Sequence, residues 1–175
     1  MNLDVSQISE FDGLTINHVY GEGEPGLRGE DSRIVDKPAL AVHATREGSR
    51  VRVIGTLNAT VEIDCDRCLR LITVPVAQSF DLVYIPPLNA NDERELGDHD
   101  LAVAFYQGQL IDLDDLVREQ IELALPMGRV CDEACKGLCP QCGTNLNEGK
   151  CDCAVHQTDL RWAALKEVTS NKLRD

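Results

Sequence analysis

The chain has 175 residues, of which 43% are apolar and eight are cysteine, and it carries a formal net charge of −13. That length suits one ordinary domain with a small appended module, and the composition excludes a disordered chain. Apolar runs are too short to span a membrane, and the net charge excludes long-range attraction to a polyphosphate, so any nucleic-acid contact must be local. The N-terminal MNLDVSQISEF has neither a basic region nor an apolar run, so no secretory signal is expected and a cytoplasmic location is. In a reducing compartment, dense cysteines point to metal or redox chemistry and not to a disulfide framework.

In chain order, LTINHVY (14–20) reads as a strand, with Leu14, Ile16 and His18 on one face. A glycine- and charge-rich loop (21–31) follows. The runs 39–48 and 51–65, rich in β-branched residues and parted at Gly48-Ser49, predict a hairpin. In the second run Val51, Val53, Gly55 and Leu57 share a face, and Val61, Ile63 and Cys65 resume the alternation after an expected kink. The run 71–86 predicts a further strand, in which Pro75 signals an edge or a bulge. An acidic stretch, NDERELGDHD (91–100), leads to a strand at 101–106.

A helix is predicted over 112–125, capped by Asp112, with Asp115 favourably placed against the helix dipole. Leu113, Leu116, Val117, Ile121, Ala124 and Leu125 make one apolar stripe suited to covering a sheet. Pro126 ends it, because the residue before a proline avoids the helical region. A last helix is predicted at 159–173, with Trp162 as its one large aromatic anchor. The fold class expected is α+β: an antiparallel β-rich domain, sheet or partial barrel, spanning 1–127, followed by a cysteine-rich zinc-binding segment and terminal helix at 128–175.

Five cysteines fall between residues 135 and 153. Cys139-Pro-Gln-Cys142-Gly143 is a knuckle: two thiolates three residues apart can share one ion, and Gly143 can take the positive φ that the turn needs. Four of Cys131, Cys135, Cys139, Cys142, Cys151 and Cys153 would close a structural zinc site, the spacing favouring Cys135, Cys139, Cys142 and Cys153. His156 is a candidate substitute ligand, against the plainer reading of a lone surface histidine, and Lys136 and Lys150 would offset part of the negative charge. Cys65-Asp-Arg-Cys68 is a second candidate pair. In an extended strand its sulfurs would face apart; in a turn they would form another knuckle, so that eight cysteines supply two four-sulfur sites or the pair joins spare cysteines of the tail. Thiol redox use of the pair and inert packed thiols are the alternatives. No phosphate-binding loop, nucleophile elbow or His-Glu-x-x-His pair is present, so no catalytic residues are assigned.

These blocks, taken together, resemble the YceD family, the large ribosomal RNA subunit accumulation proteins. The resemblance is carried by Cys65-Asp-Arg-Cys68-Leu69 after a strand, and by the helix from Asp112 through Gln120 to Pro126. It continues in Cys131 with the run Cys135 to Asn147, in Cys151-Asp-Cys153, and in Arg161-Trp162-Ala163-Ala164-Leu165-Lys166. Leu160 stands where the family usually has a proline. The resemblance implies a cytoplasmic, non-enzymatic factor in large-subunit biogenesis, with the metal clip stabilising the protein. The implied partner is the pre-ribosomal large subunit, through ribosomal RNA, a basic ribosomal protein, or both. Arg67, Arg70, Arg161, Lys166, Lys172 and Arg174 are the local basic candidates for RNA, and the acidic clusters are the candidates for a basic protein. A thiol redox protein using Cys65 and Cys68 and a zinc-stabilised interaction module are the rival readings.

Overall fold

The computed structural model describes residues 1–27, 32–87 and 103–153. Its spine is a ribbon of two long strands, β5 (Arg50–Asp64) and β6 (Leu71–Ile85), paired antiparallel from Val51↔Tyr84 to Asp64↔Leu71. Odd-numbered residues of β5 face inward: Val51, Val53, Leu57, Ala59, Val61 and Ile63 are all buried. The period-2 alternation of apolar residues produces this, since successive side chains of a strand leave on opposite faces. The expected kink is not there. Pairing with β6 runs through without a bulge, so Cys65 continues the same inward row as Val51.

The hairpin partner β4 (Ala39–Glu47) pairs with the first part of β5, and β3 (Ser32–Ile34) pairs with its end, so the two lie in line along one edge. β2 (Leu14–Val19) pairs antiparallel with β4, and β7 (Val103–Phe105) adds in parallel beside β6. The described strands thus form an open sheet in the order β2-β4-β5-β6-β7, with β3 beside β5. A short antiparallel pair, β1 (Asn2–Asp4) with β8 (Leu110–Asp112), lies alongside.

The helix α1 (Leu113–Ala124) follows β8 directly and packs on β1, β5 and β6. The Asp112 carboxylate accepts the N–H groups of Asp114 and Asp115 at 2.8 and 3.3 Å, and Leu125 turns extended ahead of Pro126. Leu113, Leu116, Val117 and Ile121 are buried against the sheet. At about 1.5–3 kcal/mol per large apolar side chain, this burial outweighs any surface ion pair in fixing the layer. No helix among the described residues is long and apolar enough to cross a membrane. The acidic stretch 91–100, the helix expected at 159–173, His156 and the Arg161–Lys166 block lie outside the described residues.

Candidate metal centres

The β5–β6 connection is a tight turn whose geometry is repeated further along the chain. In the first copy the Cys65 N–H donates to the Arg70 carbonyl and the Leu69 N–H donates to the Cys65 carbonyl, both at 2.9 Å. In the second the Cys139 N–H donates to the Thr144 carbonyl at 2.8 Å and the Gly143 N–H to the Cys139 carbonyl at 2.9 Å. The fifth residue of each has a positive φ, 58° at Leu69 and 72° at Gly143. Cys65–Cys68 is therefore a knuckle of the same form as Cys139–Cys142, and the turn brings both sulfurs of each pair to one side.

Each knuckle is completed by another cysteine pair. Cys65, Cys68, Cys131 and Cys135 form one group, and Cys139, Cys142, Cys151 and Cys153 form the other, with all sulfurs of a group within 4.8 Å of one another. In the first, Cys65 Sγ and Cys135 Sγ are 3.9 Å apart and Cys68 Sγ and Cys131 Sγ 3.6 Å. A disulfide needs about 2.05 Å. Four thiolates around a tetrahedral ion at about 2.3 Å sit about 3.8 Å apart, so the spacing fits a closed metal site.

This grouping differs from the one that spacing favoured. Cys135 does not join Cys139, Cys142 and Cys153; it closes on the β5–β6 knuckle, and Cys151 and Cys153 both join the second group. The reason lies in the contacts that dock the tail. The Asp66 N–H donates to the Arg129 carbonyl at 2.7 Å, and the Arg129 N–H returns to the Asp66 carboxylate at 2.8 Å. The Arg67 guanidinium donates to the carbonyls of Glu133 and Cys135, and the Arg67 carbonyl accepts the Leu138 N–H at 2.9 Å. At Gly137, φ is 74° and an added Cβ would lie 2.9 Å from that same Arg67 carbonyl. The chain turns sharply there, leaving Cys135 on one site and Cys139 on the next.

Polar groups around the sulfurs favour thiolate. Burial opposes ionisation of Cys65, yet the N–H groups of Arg67, Cys68 and Cys131 bring it down to about 6. The Thr144 hydroxyl and N–H bring Cys142 down to about 6 as well. Cys135 is buried, which opposes its ionisation, but the Asn147 side-chain amide, donating at 3.4 Å, helps to lower it. Their neighbours move the other way. Cys68 receives the Arg70 N–H but is pushed up to about 12 by burial and by the thiols around it, and Cys153 is pushed up to about 12, first of all by Cys142. Four like charges this close cannot all ionise without a cation among them. A divalent ion held among them would let all four ionise.

Sequence reasoning did not place Arg70, Thr144 or Asn147 at the sulfurs; Arg70 stood out only as a basic candidate for RNA. Arg70 faces Cys131, whose sulfur raises the guanidinium further above its ordinary value. Lys136 meets the site through its backbone, donating to Asn147 Oδ1 at 2.8 Å. The Asn145-Leu146-Asn147 run after the second knuckle was a visible sign, since Asn side chains readily bond nearby backbone.

Sheet, covering helix and two four-cysteine knuckle groups define a class of small β-rich proteins whose paired knuckles could hold metal ions. The family described as "Large ribosomal RNA subunit accumulation protein YceD" matches residues 53–169, and the chain belongs to it. An uncharacterized protein of Mycobacterium tuberculosis (strain H37Rv) is 30% identical over 173 residues, covering 96% of this chain and 81% of its own length. A chloroplastic large ribosomal RNA subunit accumulation protein YCED homolog 1 from Arabidopsis thaliana is 26% identical over 149 residues, or 72% of this chain and 46% of its own length. The Zea mays protein of the same name is 28% identical over 139 residues, or 65% of this chain and 47% of its own. This chain thus spans about half the length of those plant relatives. No solved structure matches it.

Proposed function

We propose that this chain is a non-enzymatic, cytoplasmic factor that supports accumulation of large-subunit ribosomal RNA by binding pre-ribosomal particles, with two structural zinc ions holding its fold. The observation that carries the reading is the family match over 53–169, which takes in most of the β5–β6 ribbon, α1 and every cysteine. The role comes from the family description and from the names of the plant relatives.

The metal part of the reading rests on the donor sets. Four thiolates select zinc or iron–sulfur, and zinc is the ion for a closed tetrahedral ribbon. Zinc there supplies charge neutralisation and cross-linking, and leaves no open position for a reacting water. Asp66, Arg67 and Gly137 then hold the tail against the β5–β6 turn, Asn147 donates to the Cys135 sulfur, and the Thr144 hydroxyl lies 3.2 Å from the Cys142 sulfur. Cys65 is fully buried and Cys68 nearly so, which offers a disulfide substrate little access and disfavours a thiol redox enzyme.

Binding follows from charge. Asp112, Asp115, Glu119 and Glu122 are exposed along α1, a field suited to a basic ribosomal protein. RNA contact is then local, at Arg67 and Arg70 beside the first knuckle. Deleting the gene and measuring the ratio of large- to small-subunit ribosomal RNA tests the role. A fall reversed by the intact gene is expected, together with sedimentation of the tagged protein with large-subunit precursors. An unchanged ratio and a protein absent from those fractions in mild salt would reject it. Metal analysis of the reduced protein should give two zinc ions per chain, one lost on Cys65→Ser.

A further inference from the structure

The two sulfur groups are chemically alike and structurally unequal. In the first, Cys65, Cys68 and Cys135 are at most 6% exposed and form a small apolar cluster with Leu138, and Cys131, half-buried, packs against it, so none of its four sulfurs is fully exposed. Its ligands come from segments more than sixty residues apart in sequence, tied by the Asp66–Arg129 and Arg67–Leu138 bonds. In the second, Cys142 is exposed and Cys151 and Cys153 are half-buried. All four of its ligands lie within residues 139–153, so no strand of the sheet has to move for its sulfurs to shift.

We propose that Cys142 is an oxidation site. Its exposed sulfur attacks an oxygen of hydrogen peroxide, a second thiol of the same group displaces that oxygen to form a disulfide, and that site then gives up its metal while the Cys65–Cys68–Cys131–Cys135 site keeps its own. The inference rests on the zinc reading of both groups. In the step, the two sulfurs lose two electrons and form an S–S bond; the O–O bond of peroxide breaks, takes up those electrons and two protons, and leaves as two waters. Disulfide sulfurs no longer carry the charge that held the ion, so zinc is released. The sulfurs need only close from within 4.8 Å to about 2.05 Å, which a short turn allows. Peroxide has no comparable path to Cys65, at 0% exposure. The chain from Cys139 onward would loosen, while the anchor of the tail on the sheet remained. Thiol reductant and zinc would reverse the change.

The test uses the full chain, reduced and zinc-loaded, with peroxide added in steps, a chromophoric chelator reporting released zinc and peptide mapping locating disulfides. One of two zinc ions should leave about tenfold faster than the other, with the first disulfide containing Cys142 and none containing Cys65 or Cys68. Cys142→His keeps a ligand in place and removes the sulfur, so its fast release should slow about tenfold. Release of both ions together, a first disulfide at Cys65 or Cys68, or an unchanged rate in Cys142→His would overturn the proposal. Absence of zinc at the outset would instead overturn the zinc reading itself.

Discussion

Leu69 and Gly143 occupy the same place in two copies of one turn, at φ values of 58° and 72°. The left-handed region costs an L-residue roughly 1–2 kcal/mol, while glycine loses about 0.5–1 kcal/mol through the entropy of the unfolded chain. Leu69 is 63% exposed, so its side chain contributes little burial to offset the strain. Leu69→Gly should therefore raise the unfolding free energy by about 0.5–1 kcal/mol, and Gly143→Ala should lower it by about 1 kcal/mol. Denaturant titration of the zinc-loaded protein measures both, and a destabilised Leu69→Gly would mean that Leu69 makes a contact worth more than its strain. The same pair shows what was legible at this scale. The knuckle with a glycine could be read from sequence; the one with leucine could not be separated from a redox pair. Which distant cysteines close each knuckle was not legible, because spacing is silent on the Asp66–Arg129 and Arg67–Leu138 bonds that decide it.

Pro75 shows how β6 tolerates a residue with no N–H in the middle of fifteen. It pairs opposite Thr60, and Thr60 turns its carbonyl the other way, to the Val35 N–H at 3.0 Å. Pro75 thus sits at a position that does not hydrogen-bond to β5, and its nitrogen faces the side of β6 that β7 pairs only at residues 83–85. Of the two expectations raised by this proline, the edge is what the strand shows among the described residues, and the bulge is not. Pro75→Thr should change stability by no more than about 0.5 kcal/mol, since the residue is exposed. Val76→Pro should cost about 3 kcal/mol or more, because it removes a buried side chain and a ladder donor together. Thermal or denaturant unfolding of the two variants separates them, and similar losses would refute the assigned register. The long strands and α1 were legible because their apolar periods are long; β1, β3 and β8, three residues each, carry no period to read.

Across the whole molecule, two packing centres share one chain. The main core joins the odd-numbered row of β5 to the α1 stripe and contains no cysteine, whereas Cys65, Cys68 and Cys135 cluster apart with Leu138. Metal removal should therefore act on one centre only. Without a cation, sulfurs within 4.8 Å regain their mutual repulsion as they ionise, and the few bonds linking 129–138 to the β5–β6 turn must hold that segment alone. Net hydrogen bonds contribute about 1 kcal/mol each, less than the several kcal/mol that a structural zinc site supplies to folding. Chelation under reducing conditions is thus expected to leave the sheet and α1 folded and to free the tail. Hydrogen exchange reads this residue by residue: amides of Leu138, Cys139, Gly143 and Leu146 should lose protection, while those of Val53, Leu57 and Val117 keep it. The far-UV spectrum should retain its sheet signal, and zinc should restore tail protection. Uniform loss of protection across β5 and α1 would instead make the metal sites part of a single cooperative fold, with the ribbon dependent on the clip at its end.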